Sequence, residues 1–366
     1  MKDIIEGSIA VALAVARCKP QVVPAYPITP STHIPQELSR IQPEYGYDFV
    51  PVESEFAAIS TAIGASAAGA RTFTATSSQG LLLMHEALFN AAGMRLPIVM
   101  CVANRSVSAP LNIWNDWQDS ISQRDAGWIQ LYCKNNQEAV DTAIQAFKIA
   151  ETADLPVMVC FDGFYLTHEL LPLDMPSQGE VDAFLPPRVA KDVLDVEKPG
   201  ALGCYAMPAD YQDFRKELDE AVRLSSSVIT KTAAEFGKKF KRGQTALIEE
   251  YANDKPVALV TMGSLAEQSE MIADEGLAGV VRIKCFRPFP SAEIARALQG
   301  KKKVVIIEKD CCPGAGGALA AEVKAALKDA GSGAEVIGII AGLGGRDVTL
   351  ETLRKAVAEG SDGAWM

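Results

Sequence analysis

Residues 52–89 read VESEFAAISTAIGASAAGARTFTATSSQGLLLMHEALF. The alanine- and glycine-rich run 56–70 has the composition of a helix, and the short run 71–76 that follows it has the length and β-branched content of a strand. TSSQG then makes a turn, and 81–92 returns to helical composition. Helix, strand and helix in close succession form the repeating unit of a parallel sheet covered by helices.

The same alternation extends outward on both sides. Further strands are predicted over 21–26, 48–52, 97–103, 128–133 and 156–161, and a helix over 137–152. From 170 to 208 the periodicity fades and prolines accumulate, as in an irregular surface connector. Residues 210–241 read as one or two polar helices ending in the basic cluster Lys238, Lys239, Lys241 and Arg242, the charges of a solvated helix end. A second alternating region, PVALVTMGS, VVRIKCFRPFP, KKVVIIEK and AEVIGII, closes with a helix over 350–359. The fold class is α/β, divided into a larger domain over 1–165, a connector with polar helices over 166–250 and a smaller α/β domain over 251–366. No short-period repeat relates the two halves.

At 366 residues and 48% hydrophobic content the chain can bury a large core. Its 35 Lys and Arg against 46 Asp and Glu give a formal net charge of -11, which argues against nucleic acid as a partner. The start, MKDIIEGSIAVALAVARCKP, carries acidic residues ahead of an apolar stretch broken by Arg17, and reads as a soluble helix. No run reaches the ~20 apolar residues of a membrane span, so no membrane is expected and the cytoplasm is the expected compartment. The eight cysteines are scattered, with no C-x-x-C, and the vicinal pair Cys311 and Cys312 cannot supply the spaced thiolates of an iron–sulfur cluster. Disulfides are not expected.

In a parallel α/β sheet ligands bind beyond the carboxyl ends of the strands. Four unusual segments fall there: YPITPST (26–32), ESE (53–55), TSSQG (76–80) and NRS (104–106). In the first, Pro27 and Pro30 hold an extended loop, Ser31 or Thr32 can cap the next helix, and Thr29 can offer a fixed hydroxyl; a plain turn with a cap would look the same. Glu55 opens a helix whose positive end favours a carboxylate, which is also the ordinary place for a helix-start charge. Arg105 follows the apolar strand PIVMCVA and should emerge at the rim suited to a carboxylate, though a surface arginine reads alike. After it, SAPLNIWNDWQDSISQRDAGW, with Asn115, Asp116, Gln118 and Asp119, is too amphipathic for a simple linker. GAGG (314–317) and GLGGRDV (342–348) in the second region could cradle phosphate, but neither signal is specific alone. His33, His85 and His168 lack metal-ligand spacing, so no metal site is expected in this chain.

Together YPITPSTHIPQELS, VESEFAAISTAIGASAAGARTFTATSSQGLLLMHEALF, RLPIVMCVANRSVSAPLNIWNDWQDSISQRDAGWIQLY, RIKCFRPFP and AGLGGRDVT, in order along almost the whole chain, resemble the alpha subunits of 2-oxo acid:ferredoxin oxidoreductases, most closely the pyruvate members (pyruvate synthases). The resemblance implies a pyrimidine-type thiamine diphosphate-binding domain with a parallel sheet over 1–165 and a transketolase C-terminal-like α/β domain over 251–366. It implies separate beta, gamma and delta subunits, with Mg2+ and [4Fe-4S] clusters on those partners and the thiamine diphosphate shared with beta. By motif, Glu55 matches the acid-base glutamate that hydrogen-bonds the pyrimidine N1′, with Glu53 the lesser candidate. Thr29 and Arg105 match the residues that hold the substrate carboxylate, and Pro27 and Ile28 are assigned to the cofactor.

The implied reaction is pyruvate, coenzyme A and oxidised ferredoxin giving acetyl-CoA, CO2 and reduced ferredoxin, reversibly, in an enzyme active only as a heteromer. The small 2-oxo acid could instead be 2-oxoisovalerate or 2-oxoglutarate, depending on the room left by the loop after Arg105. From another class, the rival is a non-catalytic scaffold paralogue that keeps the fold and binds no thiamine.

Overall fold

The computed structural model describes residues 3–366. Its larger sheet has seven strands in the order Cys285–Arg287, Ile129–Tyr132, Val157–Asp162, Ile98–Asn104, Thr72–Thr76, Val22–Ala25 and Asp48–Pro51. The last six are parallel, and all six lie where the sequence pattern predicts strands. Ile98–Asn104 and Val157–Asp162 are buried at every residue, the continuous apolar run of a central parallel strand. The seventh strand is antiparallel and arrives from the second alternating region, which the sequence did not suggest.

The second sheet runs Ala364–Trp365, Glu335–Ile340, Lys303–Glu308, Val257–Thr261, Gly279–Ile283 and Ile248–Tyr251, parallel except for the last. Gly279–Ile283 belongs here while Cys285–Arg287 joins the larger sheet, so Lys284 is the point at which the chain changes sheets. Around it Glu138 accepts from Arg282 at 2.6 Å and lies 3.2 Å from Lys284, and Arg282 also donates to Glu249 at 2.8 Å. Arg282 and Lys284 are both buried, so the two sheets are tied through an ion-paired seam.

Helices cover both faces. Glu55–Ala67 starts where Ser54 accepts from Ala57 N, and Asn136–Ala153 starts where Asn135 accepts from Glu138 N, each capping a free donor of the first turn. The predicted helix 81–92 is broken at Met84 into Ser78–Leu83 and His85–Gly93. The stretch 170–208 is less irregular than its composition suggests: Leu170–Leu173 pairs antiparallel with Asp3–Glu6, and Ser177 with Glu180 forms a capping box on helix Gln178–Phe184. Pro208–Phe240 is a single helix of 33 residues whose carboxyl-terminal half buries Ile229, Ala233 and Phe236. Just beyond it Arg242 is not a solvated charge, because its guanidinium pairs with buried Asp141 at 2.7 Å. Among the described residues no helix is long and apolar enough to cross a membrane.

Candidate active site

Strands Val22–Ala25, Asp48–Pro51, Thr72–Thr76 and Ile98–Asn104 are parallel neighbours, so the segments YPITPST, ESE, TSSQG and NRS share one rim. In the first, the expected helix cap is absent: Thr32 makes no side-chain cap bond, and the Ser31 hydroxyl donates to the carbonyl of Ile28 at 2.8 Å. That bond folds Ile28 to Ser31 into a tight turn on which Pro27 and Thr29 are exposed and Ile28 is half-buried. The Thr29 carbonyl accepts from Arg105 Nη1 at 2.9 Å, and the residue itself is exposed.

Glu55 is buried at 7% exposure at the first position of its helix, whereas Glu53 is exposed. Its carboxylate lies over Gly80: a Cβ built there would stand 2.5 Å from Glu55 Oε1 and 2.6 Å from Thr76 Oγ1. Only glycine lets the TSSQG turn come so close. The hydroxyls of Thr76 and Ser77 and the amide nitrogen of Gln79 are buried without a hydrogen-bond partner, as is Asn104 Oδ1. Buried polar groups are normally satisfied, so such a cluster next to a buried carboxylate fits a polar heteroaromatic ligand that supplies the missing partners.

Arg105 is 6% exposed and held from three sides. Its backbone N–H donates to Asp119 at 2.9 Å, Nε to the Asn112 carbonyl at 3.2 Å and Nη1 to Thr29. Burial lowers the guanidinium pKa, and the nearby Asp119 partly opposes this. Among the described residues no carboxylate forms a salt bridge with Arg105, which leaves its charge for an incoming anion.

Asp119 is the hub of the rim. One oxygen accepts from the backbone N–H of Ser78 and of Arg105, each at 2.9 Å; the other accepts from Asn104 Nδ2 and Ser120 N, each at 2.7 Å. Burial pushes its pKa up to about 7 against the pull of these donors. It thus ties the turn over Glu55 to the strand end that carries Arg105. In sequence its loop is too amphipathic for a simple linker, but nothing there separates Asp119 from Asn115, Asp116 and Gln118.

The rest of that loop is held by the second sheet's domain. Trp117 N donates to the Lys309 carbonyl at 2.8 Å, and Lys309 Nζ reaches Asn115 Oδ1 at 3.0 Å and Asp162 at 3.2 Å. Burial opposes ionisation of Asp162, yet Lys309 and the donors from Ser264 and Trp117 outweigh it and lower the pKa. GAGG, by contrast, offers no phosphate cradle: the N–H groups of Ala318, Leu319 and Ala320 at the helix start already donate to Asp310 and Glu308. Among the described residues no group of three or more His, Cys, Asp or Glu is arranged to hold a metal ion.

An α/β chain with this rim has close relatives. Residues 13–234 match the family model of pyruvate flavodoxin/ferredoxin oxidoreductase, thiamine diphosphate-binding, and 256–353 match pyruvate:ferredoxin oxidoreductase core domain II. The chain is 45% identical to pyruvate synthase subunit PorA of Methanosarcina barkeri, over 97% of this chain and 92% of the relative. It is 47% identical to PorA of Pyrococcus horikoshii (98% and 93%) and 42% identical to ketoisovalerate oxidoreductase subunit VorA of Pyrococcus abyssi (98% and 93%). The chain belongs to the pyruvate:ferredoxin oxidoreductase family. Its fold is also that of a solved 2-oxoglutarate:ferredoxin oxidoreductase from Magnetococcus marinus, with 2-oxoglutarate, coenzyme A and succinyl-CoA bound, at a TM-score of 0.77 and 22% identity over 98% of this chain; the chain spans 65% of that one.

Proposed function

We propose that the chain is the subunit of a pyruvate synthase that holds the 2-oxo acid and the aminopyrimidine of thiamine diphosphate. The enzyme oxidatively decarboxylates pyruvate with coenzyme A to acetyl-CoA and CO2 and passes the electrons to ferredoxin, and it runs backwards when the ferredoxin is sufficiently reducing. One observation carries this reading: the near full-length identity to pyruvate synthase subunits, 42% or less to ketoisovalerate relatives against 45% to 47% for five of the pyruvate ones.

Bound thiamine diphosphate supplies the carbon that adds to the keto group and takes up the electron pair left by CO2. Glu55 would meet the pyrimidine N1′ and hold a proton there, and the unpartnered Thr76, Ser77 and Gln79 groups support that role by leaving polar positions for the ring. Arg105 takes the substrate carboxylate, with the turn Pro27, Ile28 and Thr29 closing the other side of the pocket. A charge-assisted contact of this kind contributes on the order of 1.5 to 3 kcal/mol.

The reading includes the domain limits 1–165, 166–250 and 251–366. It also includes beta, gamma and delta partner subunits that carry Mg2+ and the [4Fe-4S] clusters, supported by the scatter of the cysteines. The cysteines are free thiols, which suits the cytoplasm.

The test is anaerobic viologen reduction by the co-expressed complex, with coenzyme A and pyruvate, 2-oxoisovalerate or 2-oxoglutarate in turn, for wild type and Glu55→Gln. Preference for pyruvate and collapse of the variant is the expected result. Preference for another acid moves the substrate, and a fully active variant removes Glu55 from the mechanism.

A further inference from the structure

The motif GLGGRDV has no place in the reaction as described, yet it bonds directly to the loop that follows Arg105. Asn112 sits between it and Arg105. The Asn112 carbonyl accepts from Arg105 Nε at 3.2 Å and from the Ser106 hydroxyl at 3.0 Å. Its side-chain oxygen accepts from Trp114 N at 2.7 Å and Ser106 Oγ at 2.9 Å, and its Nδ2 donates to the Gly344 carbonyl at 3.0 Å. Two bonds beside it complete the joint: Gly344 N donates to Asp116 at 3.0 Å and Gly345 N to the Asn115 carbonyl at 2.7 Å.

The turn is glycine for a steric reason. At Gly344, with φ +59°, a Cβ would stand 2.7 Å from Asn112 Nδ2; at Gly345, with φ +80°, it would stand 2.5 Å from Trp114 Cβ. Any side chain there would force the turn and the loop 106–117 apart. The glycines therefore serve close approach of two backbones, and the N–H groups of Gly344 and Gly345 are already donated to Asp116 and the Asn115 carbonyl.

We propose that the turn 342–346 is a positioning element for Arg105, and that Asn112 is the positioning residue through which the second domain sets affinity for the 2-oxo acid carboxylate. This rests on Arg105 being the carboxylate clamp. Among the described residues the guanidinium bonds the Thr29 and Asn112 carbonyls alone, so a shift of Asn112 moves one of its two anchors. Recognition of a carboxylate by a planar fork is sensitive to such a shift. Glu55 sits at the start of its own helix against Gly80 and Thr76, and among the described residues it makes no hydrogen bond to Asn112 or to the turn 342–346.

Two variants test this in the assembled enzyme. Asn112→Asp is isosteric and keeps the acceptor for Trp114 N and Ser106, but sets an oxygen against the Gly344 carbonyl. Gly344→Ala forces the turn off the loop from the other side. Both are expected to raise KM for pyruvate about tenfold while kcat changes by less than about twofold, since lost ground-state binding appears in KM. KM for coenzyme A and thiamine diphosphate content should stay at wild-type values, which a general structural defect would not allow. If Gly344→Ala does not assemble, Asn112→Asp decides. Wild-type KM for pyruvate in Asn112→Asp, or a loss confined to kcat, overturns the proposal while leaving the functional reading intact. A wild-type complex inactive on every 2-oxo acid overturns that reading, and the proposal with it.

Discussion

The carboxylate of Glu55 lies so close over Gly80 that a Cβ there would stand 2.5 Å from Glu55 Oε1. Gly80→Ala therefore has to displace either the glutamate or the TSSQG turn, and both belong to the proposed pyrimidine site. The expected outcome is loss of thiamine diphosphate from the purified complex together with at least about a hundredfold loss of pyruvate oxidation, in line with the cost of moving a reacting group by ~1 Å. Cofactor content by fluorescence after oxidation to thiochrome, alongside activity, checks it. Full cofactor occupancy and normal turnover would mean that Glu55 does not need its present position.

Arg105 offers a second test. Lysine at this position keeps the charge but loses the planar fork that now bonds both the Thr29 and Asn112 carbonyls. Arg105→Lys is expected to raise KM for pyruvate by ten- to a hundredfold, about 1.5 to 3 kcal/mol of a charge-assisted contact. Steady-state kinetics with varied pyruvate at saturating coenzyme A measures it. An unchanged KM would place the carboxylate elsewhere.

What could be read in advance, and what could not, follows from the range of the interactions. Of the six parallel strands of the larger sheet, Ile98–Asn104 and Val157–Asp162 were legible as continuous apolar runs buried on both faces, and the shorter ones by their length and residue types between helical segments. So was the shared rim, which follows from parallel strands alone once YPITPST, ESE, TSSQG and NRS are placed at their ends. Cys285–Arg287 was not legible as a strand of the other sheet, since RIKCFR has the same pattern whichever sheet it joins and only the break at Lys284 divides it. Nor was the break at Met84, where no glycine or proline marks the end of a helix. Arg242 and Asn112 look like surface polar residues in sequence; the partners that define them, Asp141 and Gly344, lie 101 and 232 residues away.

The seam between the sheets predicts a stability effect. Glu138 faces both Arg282 and Lys284, which are buried. Glu138→Gln would leave two buried cations short of their counter-charge, a change that typically costs about 3 to 5 kcal/mol. Burial works against ionisation of Glu138, but the two cations and its hydrogen bonds outweigh it and hold the pKa well below the usual range. A depressed folded-state pKa contributes stability above the unfolded value and loses it as pH falls toward the folded one. Thermal unfolding of wild type should therefore become easier from about pH 4.5 downward, and the variant should lack that part of the acid dependence. Equal melting temperatures at neutral pH would show that the seam is not stabilising.

The opposite sign operates at Glu308. Burial, then the adjacent Asp310 carboxylate, push its pKa up to about 9, despite the N–H groups of Leu319 and Ala320 that it accepts. In the unfolded chain this glutamate ionises near pH 4.3. A raised folded-state pKa gives stability that is complete below the unfolded value, declines as pH rises, and is exhausted above the folded one. Between pH 7 and 9 the wild-type melting temperature is therefore expected to fall as the folded protein is forced toward two adjacent buried carboxylates. Glu308→Gln keeps one acceptor for the helix start and cannot ionise, so its curve should be flatter over the same interval whatever its absolute stability. Parallel curves for the two proteins between pH 7 and 9 would place the proton on Asp310 or show the pair to be ionised throughout.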